Sequence, residues 1–177
     1  MEKGFTLVET IVVIGIMMLL SGLFVGYNRT ADEQVALFKD QALLVGAINR
    51  AKALAQQKLS VDANNKALNA CAFGVRINSE RDFFIFADKK SSANLPCIND
   101  NGQPASNYQY DLSEELESFS LDKRLSFTSG IGQDIIFVPP DLRLEGSSLP
   151  FIITIQNADN SRIAKVTITQ GGQINTE

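Results

Sequence analysis

The chain has 177 residues, of which 45% are hydrophobic and 20% are charged, and its net charge is −4. This composition fits one folded domain of ordinary size, and the acidic balance gives no general attraction for nucleic acid. The sequence contains no histidine, which excludes a histidine-activated nucleophile, and it has no G-x-x-x-x-G-K-[ST] phosphate loop. We therefore expect a protein that is not an enzyme, has no cofactor and has no nucleic-acid partner by default.

The first element is an uncharged apolar run near the N-terminus. No residue between Glu9 and Arg29 carries a charge, and as a helix this run would be about 28 Å long, close to the ~30 Å hydrocarbon core of a bilayer. A cleaved secretory signal is the alternative. The run is longer than the apolar core of such a signal, and no A-x-A cleavage site follows it. We predict one membrane span.

Glu9 is an acid at the edge of this apolar run. An ionised carboxylate costs about 2.5 to 3.5 kcal/mol at the centre of a bilayer, so it needs a partner. Cleavage between Gly4 and Phe5 would create an α-amine one helical turn before Glu9, and its reference pKa of ~8 would keep it largely protonated. Parallel helices with a small axial offset would bring that amine to Glu9 of the next subunit. A residue that snorkels at the membrane boundary is the alternative.

Three glycines lie on or near one stripe of the predicted membrane helix: Gly15, Gly22 and Gly26. The last two have the small-xxx-small spacing that lets helix backbones approach closely. They are candidates for helix packing between subunits, or for local melting of the helix, because glycine is a weak helix former. The alternative is the ordinary tolerance of membrane helices for glycine.

Residues 31 to 59 are predicted to form an amphipathic continuation of this helix. Apolar residues recur at steps of three and four and would form one face: Val35, Phe38, Ala42, Val45, Ile48, Ala51, Ala55 and Leu59. We expect a continuous helix with a soft segment between Gly22 and Asn28. A capping box of Thr30 and Glu33 leaves two separate helices as the alternative.

After residue 60 the pattern changes to short β-rich runs separated by turn residues. The runs are Cys71–Ile77, Phe83–Ala87, Leu125–Thr128, Ile135–Val138, Phe151–Gln156 and Ile163–Thr169. Their hairpin-like spacing predicts an α+β fold, in which the long helix, with a membrane half and an amphipathic half, packs on an antiparallel β-sheet head. Residues 88 to 120 would form a long insertion, where Ser113 could cap a short helix.

Cys71 and Cys97 are the only two cysteines. A disulfide between them would tie the insertion to the first strand and would imply an oxidising compartment. Two unrelated buried thiols are the alternative.

Two further polar groups are weak candidates for chemistry. The stretch from Asn99 to Gly102 is similar in composition to a calcium-binding loop. It lacks the bidentate Glu that such a loop needs, so we predict no metal site. A catalytic pair of carboxylates remains possible among Asp111, Glu114, Glu115 and Glu117. They are typical of a hydrated acidic surface.

The segment Gly4-Phe5-Thr6-Leu7-Val8-Glu9 and the apolar run after it resemble the processing and assembly signature of type IV pilins and type II secretion pseudopilins. The resemblance implies a pilin-like fold with a leader over residues 1–4, a transmembrane and assembly helix over 5–28, its amphipathic continuation over 29–60 and a β-rich head over 61–177. It also implies that a prepilin peptidase cleaves after Gly4 and methylates the amine of Phe5. Glu9 would support subunit assembly.

The function that this resemblance implies is a structural pilin or minor pseudopilin, assembled through its N-terminal helix into a pseudopilus or a pilus-like filament. Its partners would be prepilin peptidase, other subunits, an inner-membrane assembly platform and membrane lipid. The chain would cross the inner membrane once, with its head on the extracytoplasmic side. The stretch Leu37–Leu59 with the strands after it is similar to the H-type minor pseudopilins. The alternative function is a membrane-anchored extracytoplasmic binding domain.

Overall fold

The computed structural model describes residues 6–57, 70–89, 108, 110–139, 143–145 and 149–177, with the backbone alone for residues 25–30. The chain divides into two compact units, Met1–Ala36 and Leu37–Glu177. One helix, α1, runs from Leu7 to Gln57 and supplies residues to both units. The residues between Gly22 and Asn28 are helical, and no second helix begins at Thr30.

The second unit contains two antiparallel sheets, and this confirms the predicted α+β class. A five-stranded sheet has the order β3-β2-β1-β5-β6, and a four-stranded sheet has the order β4-β7-β8-β9. The strands are β1 (Ala70–Ile77), β2 (Asp82–Lys89), β3 (Glu115–Ser120), β4 (Leu125–Phe127), β5 (Asp134–Val138), β6 (Arg143–Glu145), β7 (Phe151–Asn157), β8 (Ile163–Ile168) and β9 (Ile174–Thr176).

The short helix that Ser113 could have capped is absent from this part of the chain. Residues from Glu115 to Ser120 form β3 instead, which pairs with β2 so that Phe83 lies opposite Phe119. The two rings stack with their centroids 5.2 Å apart. Pairing with an open strand edge and ring stacking outweigh the weak helix signal here.

The predicted apolar face of the amphipathic stretch is wrong in its N-terminal half. Val35 and Phe38 are 66% and 65% exposed, and Leu59 lies outside the described residues. The part of α1 in the second unit buries a different set of residues: Leu37, Asp40, Gln41, Leu44, Ala47, Ile48, Ala51 and Ala55.

Two polar residues explain why the buried face is rotated. The Gln41 side-chain amide donates hydrogen bonds to the carbonyl oxygens of Lys165 and Glu177, each at 3.3 Å. Asp40 accepts the backbone N–H of Asp122 at 2.6 Å. Buried polar groups are stable when they are hydrogen-bonded, so apolarity alone does not decide which face points inward.

Both faces of the five-stranded sheet are buried at its centre. One face carries a cluster against which Tyr108 and Tyr110 pack: Ala72, Phe84, Phe86, Ile136 and Val138. Because side chains alternate along a strand, the opposite face carries buried Phe73, Val75, Ile85 and Phe137. The centre of this sheet is therefore a buried layer with core side chains on both faces.

Gly74 is required in this layer because the Phe86 ring lies directly over it. A Cβ at this position would lie 2.6 Å from the Phe86 ring and 2.7 Å from the carbonyl oxygen of Ile135. Side chains do not approach this closely, so any larger residue would displace the ring or the strand.

Candidate functional site

The first turn of α1 is held by Thr6. The Thr6 hydroxyl accepts the backbone N–H of Glu9 at 3.3 Å, and the Thr6 carbonyl accepts the N–H of Thr10 at 3.3 Å. Thr6 and Glu9 thus have the spacing of a capping box, in which the first residue satisfies a free N–H at the helix start. A carboxylate in the first turn is also favoured by the helix dipole.

This capping signal was missed in the sequence, although the spacing Thr-x-x-Glu is visible there. The observed bond uses the backbone N–H of Glu9, so a local role of the Glu9 side chain in starting the helix is an expectation from the capping-box pattern, in addition to the predicted role in assembly. The two roles differ in chemistry, because the N-terminal cap needs hydrogen-bonding atoms whereas the assembly role needs a negative charge.

Glu9 is exposed and has no cation beside it in the described part of the chain. The cleavage and methylation residues Gly4 and Phe5 lie outside that part, so their prediction stays a prediction. A carboxylate in an apolar segment needs a counter-charge. For Glu9 that charge is not among the described residues of its own chain.

The stretch Leu7–Phe24 is a candidate membrane anchor, because it is long and apolar enough to cross a bilayer. None of its 18 residues is buried within the chain. An apolar helix without cover from its own chain needs lipid or another protein around it. The predicted single span is consistent with this finding.

Two of the predicted packing glycines, Gly15 and Gly22, lie on the open surface of this helix. A Cβ at Gly15 or Gly22 would meet no atom within 4 Å, and the side of the helix at Gly26 is not described. At roughly 100° per residue, Gly15, Gly22 and Gly26 lie within about 40° of one another. Glu9 lies roughly 120° away around the helix, so the acid and the glycines face different directions.

Three of the four candidate carboxylates of the head are each bound by different neighbours. Glu114 is buried and accepts the backbone N–H groups of Lys89 at 2.6 Å and Asp111 at 2.9 Å, and burial raises its pKa. Glu115 accepts the hydroxyl of Tyr110. Glu117 forms an ion pair with Arg50 that lacks hydrogen-bond geometry.

These contacts join elements of the head. Among the residues that the structure describes, no group of three or more acidic or cysteine side chains could hold a metal ion. Cys71 is disulfide-bonded, and Cys97 lies outside the described residues, as do Asn99 to Gly102.

Arg76 and Asp134 form an ion pair that sequence analysis did not identify. Two hydrogen bonds of 2.9 and 3.0 Å join the guanidinium to the carboxylate, which also accepts the backbone N–H of Tyr110. The Arg76 guanidinium lies 5.4 Å from the centre of the Tyr110 ring. The cluster attaches Tyr110, in the stretch between β2 and β3, to strands β1 and β5 of the five-stranded sheet.

Comparison with protein-family models, with curated proteins and with solved structures finds no match for this chain. The fold and the residues of the site therefore carry the functional argument. They define a β-rich unit attached to an apolar helix, with an acid in its first turn and no cover from its own chain.

Proposed function

We propose that this chain is a pilin-like structural subunit, a pilin or a minor pseudopilin, that assembles through α1 into a filament of a type II secretion or type IV pilus-like system. The single observation that carries the proposal is Glu9 in the first turn of α1, in an apolar stretch, Leu7–Phe24, that its own chain does not bury, with no counter-charge in the described part of the chain.

Membrane lipid and neighbouring helices can both cover the apolar stretch Leu7–Phe24. Lipid covers it before assembly, and parallel helices of other subunits cover it in the filament. The free space beside Gly15 and Gly22 would then be filled by side chains of a neighbouring subunit.

The direction of the charge pairing favours a filament over a closed dimer. The amine of Phe5, freed when a prepilin peptidase removes residues 1–4, would pair with Glu9 of the next subunit. Such a contact joins two different surfaces, and head-to-tail contacts of this kind continue into helical filaments unless the rotation closes a ring. Methylation of the amine keeps its positive charge. The angle between Glu9 and the glycine stripe gives each helix at least two contact directions.

The proposed location is the inner membrane, crossed once, with the head outside the cytoplasm. The disulfide bond of Cys71 supports this side, because disulfides persist in oxidising compartments. The proposed partners are the prepilin peptidase, other subunits, an inner-membrane assembly platform and lipid.

The experiment that tests the proposal separates the two roles of Glu9. Glu9→Gln keeps a side chain that serves at this position of a capping box but removes the charge, whereas Glu9→Ala removes both. We expect both variants to accumulate in membranes of cells that contain the peptidase and to be lost from filaments sheared off those cells. Thr6→Ser, which keeps the capping hydroxyl, is the matched control and should assemble normally. Normal filaments from Glu9→Gln would show that Glu9 acts only as a cap and would contradict the proposal.

A further inference from the structure

An open groove lies in the second unit between α1 and the C-terminal hairpin. Its volume is about 560 Å³, within the ~300 to 1,000 Å³ range of ligand-binding sites. The residues that line it and bear on its chemistry are Val45, Asn49 and Lys52 of α1 and Gln173, Ile174 and Asn175 of the hairpin. None of the described residues that line it is aromatic.

One wall of the groove is the free edge of a sheet. Strand β9 is the last strand of the four-stranded sheet. Lys165 and Glu177 exchange two backbone hydrogen bonds of 2.8 and 2.9 Å. In an antiparallel ladder this pairing turns the N–H and C=O groups of Ile174 and Thr176 away from β8. Such an edge is a template for another extended chain.

The other wall carries a half-buried cation, Lys52. Its ammonium donates a hydrogen bond of 3.1 Å to the carbonyl oxygen of Gly172, and it forms no ion pair with a carboxylate of the described residues. Gly172 has φ +71°, and a Cβ there would lie 3.5 Å from the ammonium nitrogen. The turn therefore holds the cation at the groove. An ammonium donates three hydrogen bonds, so Lys52 retains donors for an anion.

We propose that this groove binds an extended peptide segment of a partner protein, which pairs with the edge of β9 and places a carboxylate on Lys52. The amide side chains of Asn49, Gln173 and Asn175 would bond polar groups of the segment. A peptide fits better than an acidic glycan, because the edge offers alternating backbone donors and acceptors and the groove has no aromatic ring for a sugar to stack on. This inference goes beyond the proposed assembly through α1 and does not depend on it.

The test uses the full-length isotope-labelled chain in detergent micelles and two synthetic peptides. One is acetyl-Thr-Val-Glu-Val-Thr-Val-amide, and the other has Gln in place of Glu. We expect the Glu peptide to shift the backbone amide signals of Ile174 and Thr176 saturably and to slow their hydrogen exchange. The Gln peptide should bind about five- to tenfold more weakly, as expected for the loss of one partly desolvated charge pair.

Variants of the protein complete the test. Lys52→Gln should weaken binding of the Glu peptide by a similar factor, Lys52→Arg should largely restore it, and Lys123→Gln, at an exposed lysine elsewhere on the head, should leave it unchanged. If Lys52→Gln disturbs the fold, the difference in binding between the Glu and Gln peptides on the unmodified protein still tests the proposal. Equal binding of the two peptides, no protection at Ile174 and Thr176, or equal shifts caused by oligogalacturonate would overturn the proposal.

Discussion

The stretch Leu7–Phe24 and the stretch from Leu37 to Gln57 belong to the same helix, yet their apolar side chains have opposite surroundings. None of the first stretch is buried within the chain, whereas Leu44 and Ile48 in the second are fully buried. The second stretch is stabilised by its own head, so substitutions of its buried side chains should change folding. The first has no cover from its own chain, so its substitutions should change assembly and leave folding intact.

The largest effect on this comparison should come from adding a Cβ to one glycine of the head and to one glycine of the exposed stretch Leu7–Phe24. Gly74→Ala would push against the Phe86 ring and the Ile135 carbonyl, and overpacking of this kind costs about 1 to 3 kcal/mol or more. Gly22→Ala meets no atom within 4 Å, and it should leave the head's stability unchanged while the helix gains up to about 1 kcal/mol.

Urea unfolding of the two glycine variants in the same detergent gives the check. The comparison would fail if Gly22→Ala destabilised the head as much as Gly74→Ala does. If the glycine stripe packs between subunits, Gly22→Ala should also reduce the yield of filaments.

An effect of similar size is expected for one of two side chains on the head's part of α1, and this pair gives the second comparison. Ile48→Ala removes a fully buried side chain and should lower the free energy of unfolding by about 2 to 4 kcal/mol, because it leaves a cavity. Phe38→Ala removes a larger ring that is 65% exposed, and it should change the free energy of unfolding by less than about 0.5 kcal/mol. Thermal unfolding followed by circular dichroism distinguishes the two variants. A large loss of stability in Phe38→Ala would contradict this account and would place Phe38 on the buried face of α1, as its periodicity predicts.

The smallest effect should be a change of stability in acid. Hydrogen bonds from the Arg124 side chain and backbone lower the pKa of Asp122 from 3.8 to about 2. Folding therefore favours the ionised carboxylate, and its contribution is present above about pH 4 and is lost as the pH falls toward 2. We expect Asp122→Asn to be slightly less stable than the parent chain at neutral pH. The difference should disappear near pH 2. Unfolding midpoints of both proteins, measured from pH 7 to pH 2, give the check, and a variant more stable than the parent chain at neutral pH would contradict the prediction.

The sequence predicted the general fold well, because long apolar runs carry strong signals. The six predicted strands all occur, and each of their ends lies within two residues of the predicted one. Strands β3, β6 and β9 were missed. The last two have three residues each, and all three lie at sheet edges, where few apolar side chains are needed.

The sites were harder to predict because they depend on contacts between distant residues. The rotated face of α1 follows from hydrogen bonds of Asp40 and Gln41 to residues more than 80 positions away. The groove at Lys52 brings α1 against a turn 120 positions later. The cap of Glu9 by Thr6 is local, and its spacing could have been recognised.

The central claim is that the exposed apolar stretch of α1 is processed for assembly with other subunits. It is tested most directly by the intact mass and N-terminal sequence of the protein recovered from cells that contain a prepilin peptidase. We predict a chain that begins at Phe5 with a methylated amine, and an uncleaved chain in cells that lack the peptidase. A chain that still begins at Met1, or one cut after the apolar stretch, would contradict the claim.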